Sequence, residues 1–511
     1  MSRAGRRART TGVGRELGQL KQMPFRQLSL PYQPIAVLSN DQVEAIHRTA
    51  LKVLAEIGMK VLDAPARALF AKAGADVDEA SMRVRIDPAL MEELVAKAPA
   101  SFTLAARNPQ KSLKVGGRDF IFSSVGGPAF VMDEDKGRRS GTYQEMCDYI
   151  RLIQSLNVIH QEGGGPLEPM DLPAPTRHLD LYYAEITLTD KNWQPQTFGR
   201  ARTIDALEMA AIALGTTREG LNGTSVFTGV INTNSPLQID IPMAEGLITL
   251  AEHGQVNVIT PFTLAGAMSP VTLAGALAQQ HAEAMAGIAL VQIVRPGAPV
   301  MYGGFTSNVD MKTGSPAFGT PEYTLAAQAS GQLARRLNVP FRSSNVTASN
   351  AVDAQAAYES QMSLWGSVMG GAHMVLHAAG WLGGGLTASF EKLILDAEML
   401  QMMAAYCVPP VVDEKTLAMD AIREVGPAGH YFGAAHTIER YETAFYAPLL
   451  SNWDNFDTWR ERGSLTATQR ANAIWKKLLA DYEQPPIDPG TDEALRDYME
   501  RRKREGGAPA D

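Results

Sequence analysis

Cysteine, long apolar runs and signal-like segments are scarce or missing in this chain. Only Cys147 and Cys407 occur among its 511 residues, so the sequence offers neither a disulfide framework nor a paired-cysteine metal site. No apolar run approaches the roughly 18 residues that a membrane-spanning helix needs. The amino terminus also lacks the apolar stretch of a secretory signal. We therefore expect a cytoplasmic protein with no membrane partner.

Aromatic residues and excess positive charge are also in short supply. Aromatics make up 7% of the chain, and 47 basic residues face 55 acidic ones, giving a net charge of -8. This balance argues against nucleic acid as a partner. Glycine (45) and methionine (22) are plentiful instead, which is typical of closely packed elements and adaptable cores. The length suits one large unit with additions at its ends.

Several familiar active-site motifs are missing as well. The sequence has no GxGxxG after an early strand, no GxSxG, no GxxxxGK and no HExxH, so dinucleotide binding and the common nucleophile and zinc sites are not favoured. His373 and His377 lie four residues apart, but on a predicted strand that spacing separates them by about 13 Å. That is too far for one ion, and we expect no tightly bound metal.

What the chain does contain is a repeated strand, polar loop and helix, most densely from Pro299 to Ala404. Eight such pairs are predicted, which indicates a (β/α)8 TIM barrel rather than an open doubly wound sheet. The predicted strands are Phe120–Ser123, Val158–Glu162, Gln196–Phe198, Ser225–Val230, Val258–Phe262, Val300–Gly303, Phe341–Asn345 and Met374–Ala378. In such a barrel the loops after the strands carry the active site.

The remaining segments flank this barrel. Residues 1–34 form a predicted basic flexible arm, although an Arg-rich start is also typical of a transit peptide. Residues 35–117 are a helical preface, in which Ser39 and Gln42 predict a capping box. The barrel is assigned to 118–410, and residues 411–511 are a helical region expected to pack on the barrel or on a neighbouring subunit. We expect a homo-oligomer.

Polar and aromatic residues gather at the predicted strand ends. Aromatic faces together with carboxylates suit a quaternary ammonium, which has no N–H to donate and is held by cation–π and Coulomb attraction. His377 is either a site residue or a hydrogen-bonded core histidine. The clusters Gly163–Gly165 and Gly383–Gly385 either admit a bulky planar ligand or are simply loops.

Long segments of the chain resemble one known family, the trimethylamine methyltransferase (MttB) superfamily. The resemblance rests on PVMYGGFTSNVDMKTGSPAFGTPEY, GQLARRLNVPFRSS, DAQAAYESQMSLWG, GGAHMVLHAAGWL and LDAEMLQMM, and near the front on LSNDQVEAIHRTALKVLAEIGMKV. It covers about residues 35–485. It implies a (β/α)8 barrel that passes a methyl group from a methylated amine to the Co(I) of a separate corrinoid (cobalamin) protein.

The resemblance also shapes the predicted site. We expect Glu322, Asp310 and His377 to act in catalysis, and Gly163, Gly164 and Gly384 to face the corrinoid. Arg342 or donors near Asn345 would meet a substrate carboxylate. The further substrate-binding candidates are Tyr302, Phe305, Trp381, Glu162, Phe262 and Asn345 itself.

One departure from the family narrows the substrate. Archaeal trimethylamine enzymes use pyrrolysine to activate a tertiary amine, and the equivalent position here falls in the Asn345–Asn350 loop, which holds only small neutral residues. The resemblance is therefore to the branch without pyrrolysine, whose substrates are quaternary amines such as glycine betaine. A tertiary methylamine substrate and a non-catalytic betaine-binding role remain alternatives.

Overall fold

The computed structural model describes residues 20–509. Residues 1–19 of the predicted basic arm lie outside the described residues. From residue 20 onward the chain runs along the main sheet. The Gln22 side chain donates to the Ser155 carbonyl oxygen and accepts from the Asn157 N–H. The short strand β1, Leu28–Ser29, pairs antiparallel with residues 119–120 of a central strand.

A small α/β preface follows. Its first helix begins as predicted, because Ser39 and Gln42 form the reciprocal capping box. Beyond that helix Gly58 has φ +79, and a Cβ there would lie 2.5 Å from the Val84 carbonyl oxygen, so only glycine fits this turn. The elements are β1 Leu28–Ser29, α1 Asn40–Lys52, β2 Met59–Val61, α2 Ala64–Ala73, β3 Asp76–Asp78, β4 Arg83–Arg85, α3 Pro88–Val95, β5 Ser101–Leu104 and β6 Leu113–Gly116.

A curled sheet surrounded by helices makes this a mixed α/β fold. The strands beyond the preface are β7 Asp119–Phe122, β8 Phe130–Asp133, β9 Gly137–Ser140, β10 Thr228–Thr233, β11 Gln238–Ile239, β12 Val256–Pro261, β13 Leu264–Ala265, β14 Val300–Gly303, β15 Ser307–Val309, β16 Pro316–Ala317, β17 Phe341–Ser344, β18 Met374–Leu376, β19 Trp381–Leu382 and β20 Thr387–Ser389. Six of them form the main sheet in the order β10, β12, β14, β17, β18, β7, with every neighbouring pair parallel. Strands β6 and β5 continue this sheet antiparallel.

Eight helices of the described chain accompany these strands, which is the number that the predicted strand–helix pairs require. They are α4 Tyr143–Ser155, α5 Arg177–Leu188, α6 Gly199–Ala213, α7 Ile241–Glu252, α8 Leu273–Val294, α9 Pro321–Arg336, α10 Ala354–Met369 and α11 Phe390–Tyr406. Most present a buried face to the sheet, and α8 is buried along most of its 22 residues.

Two of the eight predicted strands are not formed as strands. Val158–Glu162 is reduced to bridges at Gln161, which joins Ser123 and Asn192 in parallel. The prediction of Gln196–Phe198 is wrong in register, because the bridging residues are Asn192 and Trp193, with Trp193 joined to Phe227. Trp193 is the buried apolar residue of that segment, whereas Gln196–Phe198 leads directly into α6.

The two ends of the curled sheet differ in character. At the end where the strands begin, side chains of the β5–β6 hairpin pack against the strand residues Ile121, Val256, Val258, Met301 and Met374. At the opposite end, polar residues follow the strands. The β5–β6 hairpin therefore covers the end of the sheet where the strands begin. The polar end, where the strands finish, is left open for a site.

The carboxyl-terminal region is helical as expected. Its helices are α12 Glu414–Leu417, α13 Met419–Val425, α14 Ala435–Ile438, α15 Phe456–Glu461, α16 Ala467–Ala480 and α17 Pro489–Arg504. Helix α16 packs on α11 and α4, and α17 packs on α5 and α6, where buried Asp205 accepts from Tyr498 and Arg502. Within residues 20–509, no helix has the length and apolarity needed to cross a membrane.

Candidate active site

A cavity of about 570 Å³ lies at the carboxyl ends of the central strands. One part of its wall is neutral and polar, one part is glycine, and one part is aromatic with a single guanidinium. Its lining residues are Gly126, Gly127, Gly163, Gly164, Glu168, Gln194, Gln196, Phe198, Val230, Asn232, Thr233, Asn234, Ser235, Thr260, Phe262, Met268, Phe305, Arg342, Leu376, His377, Trp381 and Gly385.

The aromatic part of the wall is one connected cluster. The Phe305 ring centroid lies 5.2 Å from that of Phe262, 5.7 Å from Phe318 and 6.2 Å from Trp381. The Trp381 indole N–H donates to the Thr347 carbonyl oxygen at 3.1 Å, and a Cβ on Gly385 would lie 2.4 Å from the indole ring. The ring is thus fixed in place, and it forms part of the cavity wall.

Arg342 carries the charge of this cavity. It lies on β17 with its side chain buried, and its Nε and Nη1 atoms have no hydrogen-bond partner. Among the described residues no carboxylate forms a salt bridge with it. Burial lowers the pKa of the guanidinium to about 10, so it is still a cation at neutral pH. A buried cation without a counter-charge is costly, and a ligand anion would supply what the protein does not.

His377 lies beside this guanidinium in an unusual backbone conformation. Its φ is 54°, a left-handed value that costs energy in a non-glycine residue and is typical of functional sites. Its ring is half-buried in the cavity wall, its buried Nδ1 has no partner, and the ring centroid lies 4.5 Å from that of Trp381. Burial, reinforced by Arg342, holds the pKa of the imidazole well below its usual value. His377 is therefore a neutral ring in the cavity wall, not a satisfied core histidine.

Glu162 lies under the glycine part of the wall and not in it. It is fully buried, and its Oε2 accepts the Gly164 N–H at 2.9 Å, while buried Glu185 accepts the Gly165 N–H at 3.0 Å. Burial raises the pKa of Glu162 to about 7, and burial and Glu162 together raise the pKa of Glu185 well above its usual value. Through these two contacts the buried carboxyl groups hold the Gly163–Gly165 loop.

The structure does not bring the two predicted catalytic acids to the cavity. Glu322 is exposed in the first turn of α9, where a carboxylate complements the helix dipole. Asp310 is exposed in a turn, and its Oδ2 accepts the Thr313 hydroxyl at 2.7 Å. Both acids follow strands in the sequence, but local turn and helix geometry explains them. Neither acid lines the cavity.

Three further predicted residues lie near the cavity without lining it. Tyr302 points away from the sheet interior, opposite to Met301, and its hydroxyl meets Gln280 and His281 at 3.1 Å. The Asn345 amide donates to the Ala378 carbonyl oxygen at 2.8 Å, which fixes the residue after His377. Gly384 is half-buried near the Phe318 ring, and its neighbour Gly385 lines the wall instead.

Some residues of the wall were not predicted. Behind the wall, Phe318 packs on Phe305 and Trp381. It follows the β15–β16 hairpin, whose sequence carries no strand signal strong enough to place an aromatic ring. Gln194 and Gln196 were missed because the strand was predicted at Gln196–Phe198. The bridging residues are Asn192 and Trp193, and with that register both glutamines follow a strand end. In residues 20–509, no three His, Cys, Asp or Glu side chains cluster closely enough to hold a metal ion.

Comparison with known proteins identifies the family to which this cavity belongs. A family model described as trimethylamine methyltransferase (MTTB) matches residues 2–507. The chain belongs to this family. A second finding agrees with the first, because a glycine betaine methyltransferase of Desulfitobacterium hafniense (strain Y51) is 38% identical over 472 residues, covering 92% of this chain and 98% of the relative. The chain is therefore a methyltransferase of the trimethylamine methyltransferase family.

Other relatives of the family are more distant. A trimethylamine methyltransferase MttB of D. hafniense (strain DSM 10664 / DCB-2) is 28% identical, covering 93% of this chain and 95% of the relative. A proline betaine:corrinoid methyltransferase of Eubacterium limosum is 27% identical, covering 90% and 96%. Among solved structures, the Methanosarcina barkeri monomethylamine methyltransferase (MtmB) aligns with a TM-score of 0.46 and 11% identity, covering 90% of this chain and 94% of that one.

Proposed function

We propose that this methyltransferase takes a methyl group from a betaine, such as glycine betaine, and passes it to the Co(I) of a corrinoid protein. The observation that carries the proposal is buried Arg342, two of whose nitrogen atoms are unpartnered, beside an aromatic cluster. A betaine offers a quaternary ammonium to the rings and a carboxylate to the guanidinium. Trimethylamine offers no anion and would leave Arg342 unpaired.

Each part of the wall has a role in this proposal. Phe305 and Trp381 present π faces to the ammonium, and Arg342 binds the carboxylate through its planar fork of donors. Neutral His377 fills the space between the guanidinium and the indole without adding charge. The buried apolar surroundings exclude water, so both attractions act in a medium of low polarity. Together these contacts orient one N–CH3 bond toward the open side of the cavity.

The charge of the substrate accounts for the absence of an acid among these residues. When the N–CH3 bond breaks, its electron pair stays on nitrogen, so a quaternary ammonium leaves as a neutral tertiary amine and needs no proton. A tertiary amine would first have to be protonated or captured. The lining contains one carboxylate, Glu168, whose two oxygens accept from the Gln196 amide and the Arg177 guanidinium. The chain's own task is thus binding and orientation.

The glycine part of the wall fits a large planar group such as a corrin. A Cβ on Gly127 would meet no atom within 4 Å, so that position borders open space, and Gly163, Gly164 and Gly385 continue the same surface. When bound, the corrinoid would supply the Co(I) nucleophile that accepts the methyl group. Gly127 thus leaves its part of the wall free of a side chain, whereas a Cβ on Gly163, Gly164 or Gly385 would meet Ser124, Gln194 or Trp381.

We also propose that residues 118–410 form a closed (β/α)8 barrel. The parallel bridges at Ser123–Gln161, Gln161–Asn192 and Trp193–Phe227 support closure, because they join β7 to β10 through two more segments. The preface at 35–117 and the region 411–511 would flank that catalytic unit. A cytoplasmic location stays a prediction from the sequence.

Calorimetric titration of the purified chain tests the choice of ligand. Glycine betaine is expected to bind more tightly than tetramethylammonium, which has the cation alone, and trimethylammonium is expected to bind weakest. Equal affinities for glycine betaine and tetramethylammonium would contradict the assigned role of Arg342. Tight binding of glycine betaine without transfer to any corrinoid acceptor would instead favour a non-catalytic betaine-binding role.

A further inference from the structure

The Asn345–Asn350 loop holds the indole of Trp381, although none of the loop residues, all of which the structure describes, lines the cavity. The Thr347 carbonyl oxygen accepts the Trp381 indole N–H at 3.1 Å and also the Gly384 N–H at 3.1 Å. A carbonyl oxygen has two lone pairs and can accept both. The direction of this one carbonyl group therefore decides where the indole lies.

A carboxylate contacts the same loop through its donor groups. Glu359, in the second turn of α10, accepts on Oε2 the Thr347 hydroxyl at 2.5 Å, the Ala348 N–H at 2.9 Å and the Ser349 N–H at 3.2 Å. Hydrogen bonds to a charged acceptor are shorter and stronger than those between neutral groups. Glu359 thus fixes how the peptide planes of this loop are turned.

The peptide between Thr347 and Ala348 joins Glu359 to the indole directly. Its N–H donates to Glu359, and its carbonyl oxygen accepts from Trp381. The peptide is trans, so its N–H and its C=O point in opposite directions. A negative charge at the N–H also polarises the peptide and makes its oxygen a better acceptor. Turning this plane away from Glu359 would take the acceptor away from the indole.

The Glu359 side chain is itself held in place. A Cβ on Gly319 would lie 2.3 Å from the Cβ of Glu359, and the φ of Gly319 is +75°, so only glycine leaves room for the Glu359 stem. The other carboxylate oxygen accepts the Gln355 amide at 2.9 Å. Gly319 directly follows Phe318, whose ring centroid lies 5.9 Å from that of Trp381. The fixed carboxylate is therefore part of the support of the indole.

We propose that Glu359 is a positioning residue that sets the orientation of the Trp381 indole and, through it, the affinity for the ammonium end of the substrate. Glu359 does not line the cavity, so its action on a ligand passes through the indole. The link to an ammonium rests on the proposed function, whereas the link to the indole does not. A residue that only stabilised the fold would leave the indole of the folded protein where it is.

Fluorine NMR of the full chain labelled with 5-fluorotryptophan observes the indole without any ligand. The chain has six tryptophans, and Trp381→Leu identifies the Trp381 signal by its loss. Glu359→Met keeps the length of the side chain but removes the acceptor, so the Trp381 signal should shift and broaden. Glu359→Gln keeps an acceptor oxygen for the loop and should leave the signal close to its wild-type position. An unchanged signal in Glu359→Met, or equal displacement in both variants, would overturn the proposal.

Glu398→Met is the matched control. Glu398, on α11, accepts two backbone N–H groups at 2.6 and 2.8 Å and the Ser451 hydroxyl at 2.9 Å, so it holds a loop with the same kinds of donor. That loop, residues 449–451, does not line the cavity. Glu398→Met should lower the free energy of unfolding in urea as Glu359→Met does, but leave the Trp381 signal unchanged. Similar shifts in both variants would assign the effect to general destabilisation and contradict the proposal.

Calorimetric titration with tetramethylammonium and glycine betaine tests the consequence for binding. Glu359→Met should weaken both ligands by about 3- to 10-fold, a part of what losing the whole cation–π contact would cost. In the Trp381→Leu background the same change should cost less than about twofold, because residues of one network do not contribute independently.

The possible results of this cycle separate the two proposals. Losses that simply multiply in the Glu359→Met/Trp381→Leu variant would contradict an action of Glu359 through the indole. If the wild type bound neither ligand while the fluorine signal moved as expected, the proposed function would fail and the positioning role of Glu359 would stand.

Discussion

The guanidinium of Arg342 lies 5.2 Å from the centre of the Phe305 ring, and Phe305 in turn contacts Phe262, Phe318 and Trp381. A fixed cation and a surface suited to a cation thus lie next to each other. Without an anion, the positive charge of Arg342 would repel a cationic ligand that the aromatic rings attract. A zwitterion resolves the conflict, because its carboxylate and its ammonium meet complementary groups a few ångströms apart.

Arg342 variants separate the two ends of the ligand. Arg342→Met should weaken glycine betaine binding by about 10- to 100-fold, since a charge-assisted hydrogen bond contributes about 1.5–3 kcal/mol and each 1.4 kcal/mol is tenfold. Tetramethylammonium should bind the variant as well as it binds wild type, or better, because a repelling cation is gone. Arg342→Lys keeps the charge but not the planar fork and should lie between the two. Calorimetry measures all three; parallel losses for both ligands would argue that the variant merely disturbs the cavity.

Trp381 should affect the cationic end instead. Trp381→Leu removes the largest π face and should weaken glycine betaine and tetramethylammonium alike, by roughly 5- to 30-fold, as a desolvated cation–π contact of about 1–2 kcal/mol implies. Trp365→Leu is the matched control, because Trp365 packs on Tyr406 away from the cavity. Titration of both variants with both ligands is the measurement. A loss restricted to glycine betaine would contradict this role for the indole.

The buried pair Glu162 and Glu185 predicts a pH dependence of stability. Burial raises the pKa of Glu162 in the folded protein to about 7, above its unfolded value near 4.5, so the folded state keeps a proton that the unfolded state has lost. This group's stabilising contribution is therefore complete below about pH 4.5 and is lost as the pH rises to about 7. Glu162→Gln keeps an acceptor for Gly164 and never ionises.

Urea unfolding at pH 5, 6, 7 and 8 measures this effect. The free energy of unfolding of Glu162→Gln should fall less over this range than that of wild type, so that the variant gains relative stability at pH 8. Glu322→Gln, at an exposed position, serves as the control, and its free energy of unfolding should change with pH as that of wild type does. If Glu162→Gln instead lost stability relative to wild type toward pH 8, the folded protein would be holding an ionised Glu162.

Glu322 and Asp310, which lie outside the cavity, should contribute little to methyl transfer. Glu322→Gln and Asp310→Asn should keep methyl transfer within about twofold of wild type, because neither side chain lines the cavity. A small loss of stability is expected for Glu322→Gln, since it removes an acid from the first turn of α9, where it complements the helix dipole. Steady-state rates with saturating betaine are the measurement. A drop of a hundredfold or more in either variant would return that acid to the site.

The same residues indicate how far sequence reasoning reached. Strands such as Val300–Gly303 were predictable because both faces are buried and the apolar run is continuous. The segments around Gln161 and Asn192 were not, since polar side chains there face buried neighbours and leave no apolar pattern. Among site residues, Phe305 and His377 follow β14 and β18, Arg342 lies on β17 and Trp381 on β19. Their chemistry and the family resemblance, together with these positions, made them candidates.

A position after a strand does not by itself assign a residue to the site, because the residue can have another local role there. An acid that follows a strand in the sequence can equally lie in the first turn of the next helix, and Glu322 does so. Tyr302 was misassigned because the face of a short strand is fixed by its register, which only the contacts of Met301 and Tyr302 reveal. Phe318 joins the aromatic cluster through a long loop, and no local pattern predicts such an approach.

The most direct test of the central claim is stoichiometric methyl transfer. Purified chain, a reduced corrinoid protein and glycine betaine are mixed without oxygen, and the loss of the Co(I) absorbance is compared with the dimethylglycine formed. We predict one dimethylglycine per corrinoid methylated with glycine betaine or a closely related betaine, and no reaction with trimethylamine. Transfer from trimethylamine, with none from any betaine, would contradict the assignment.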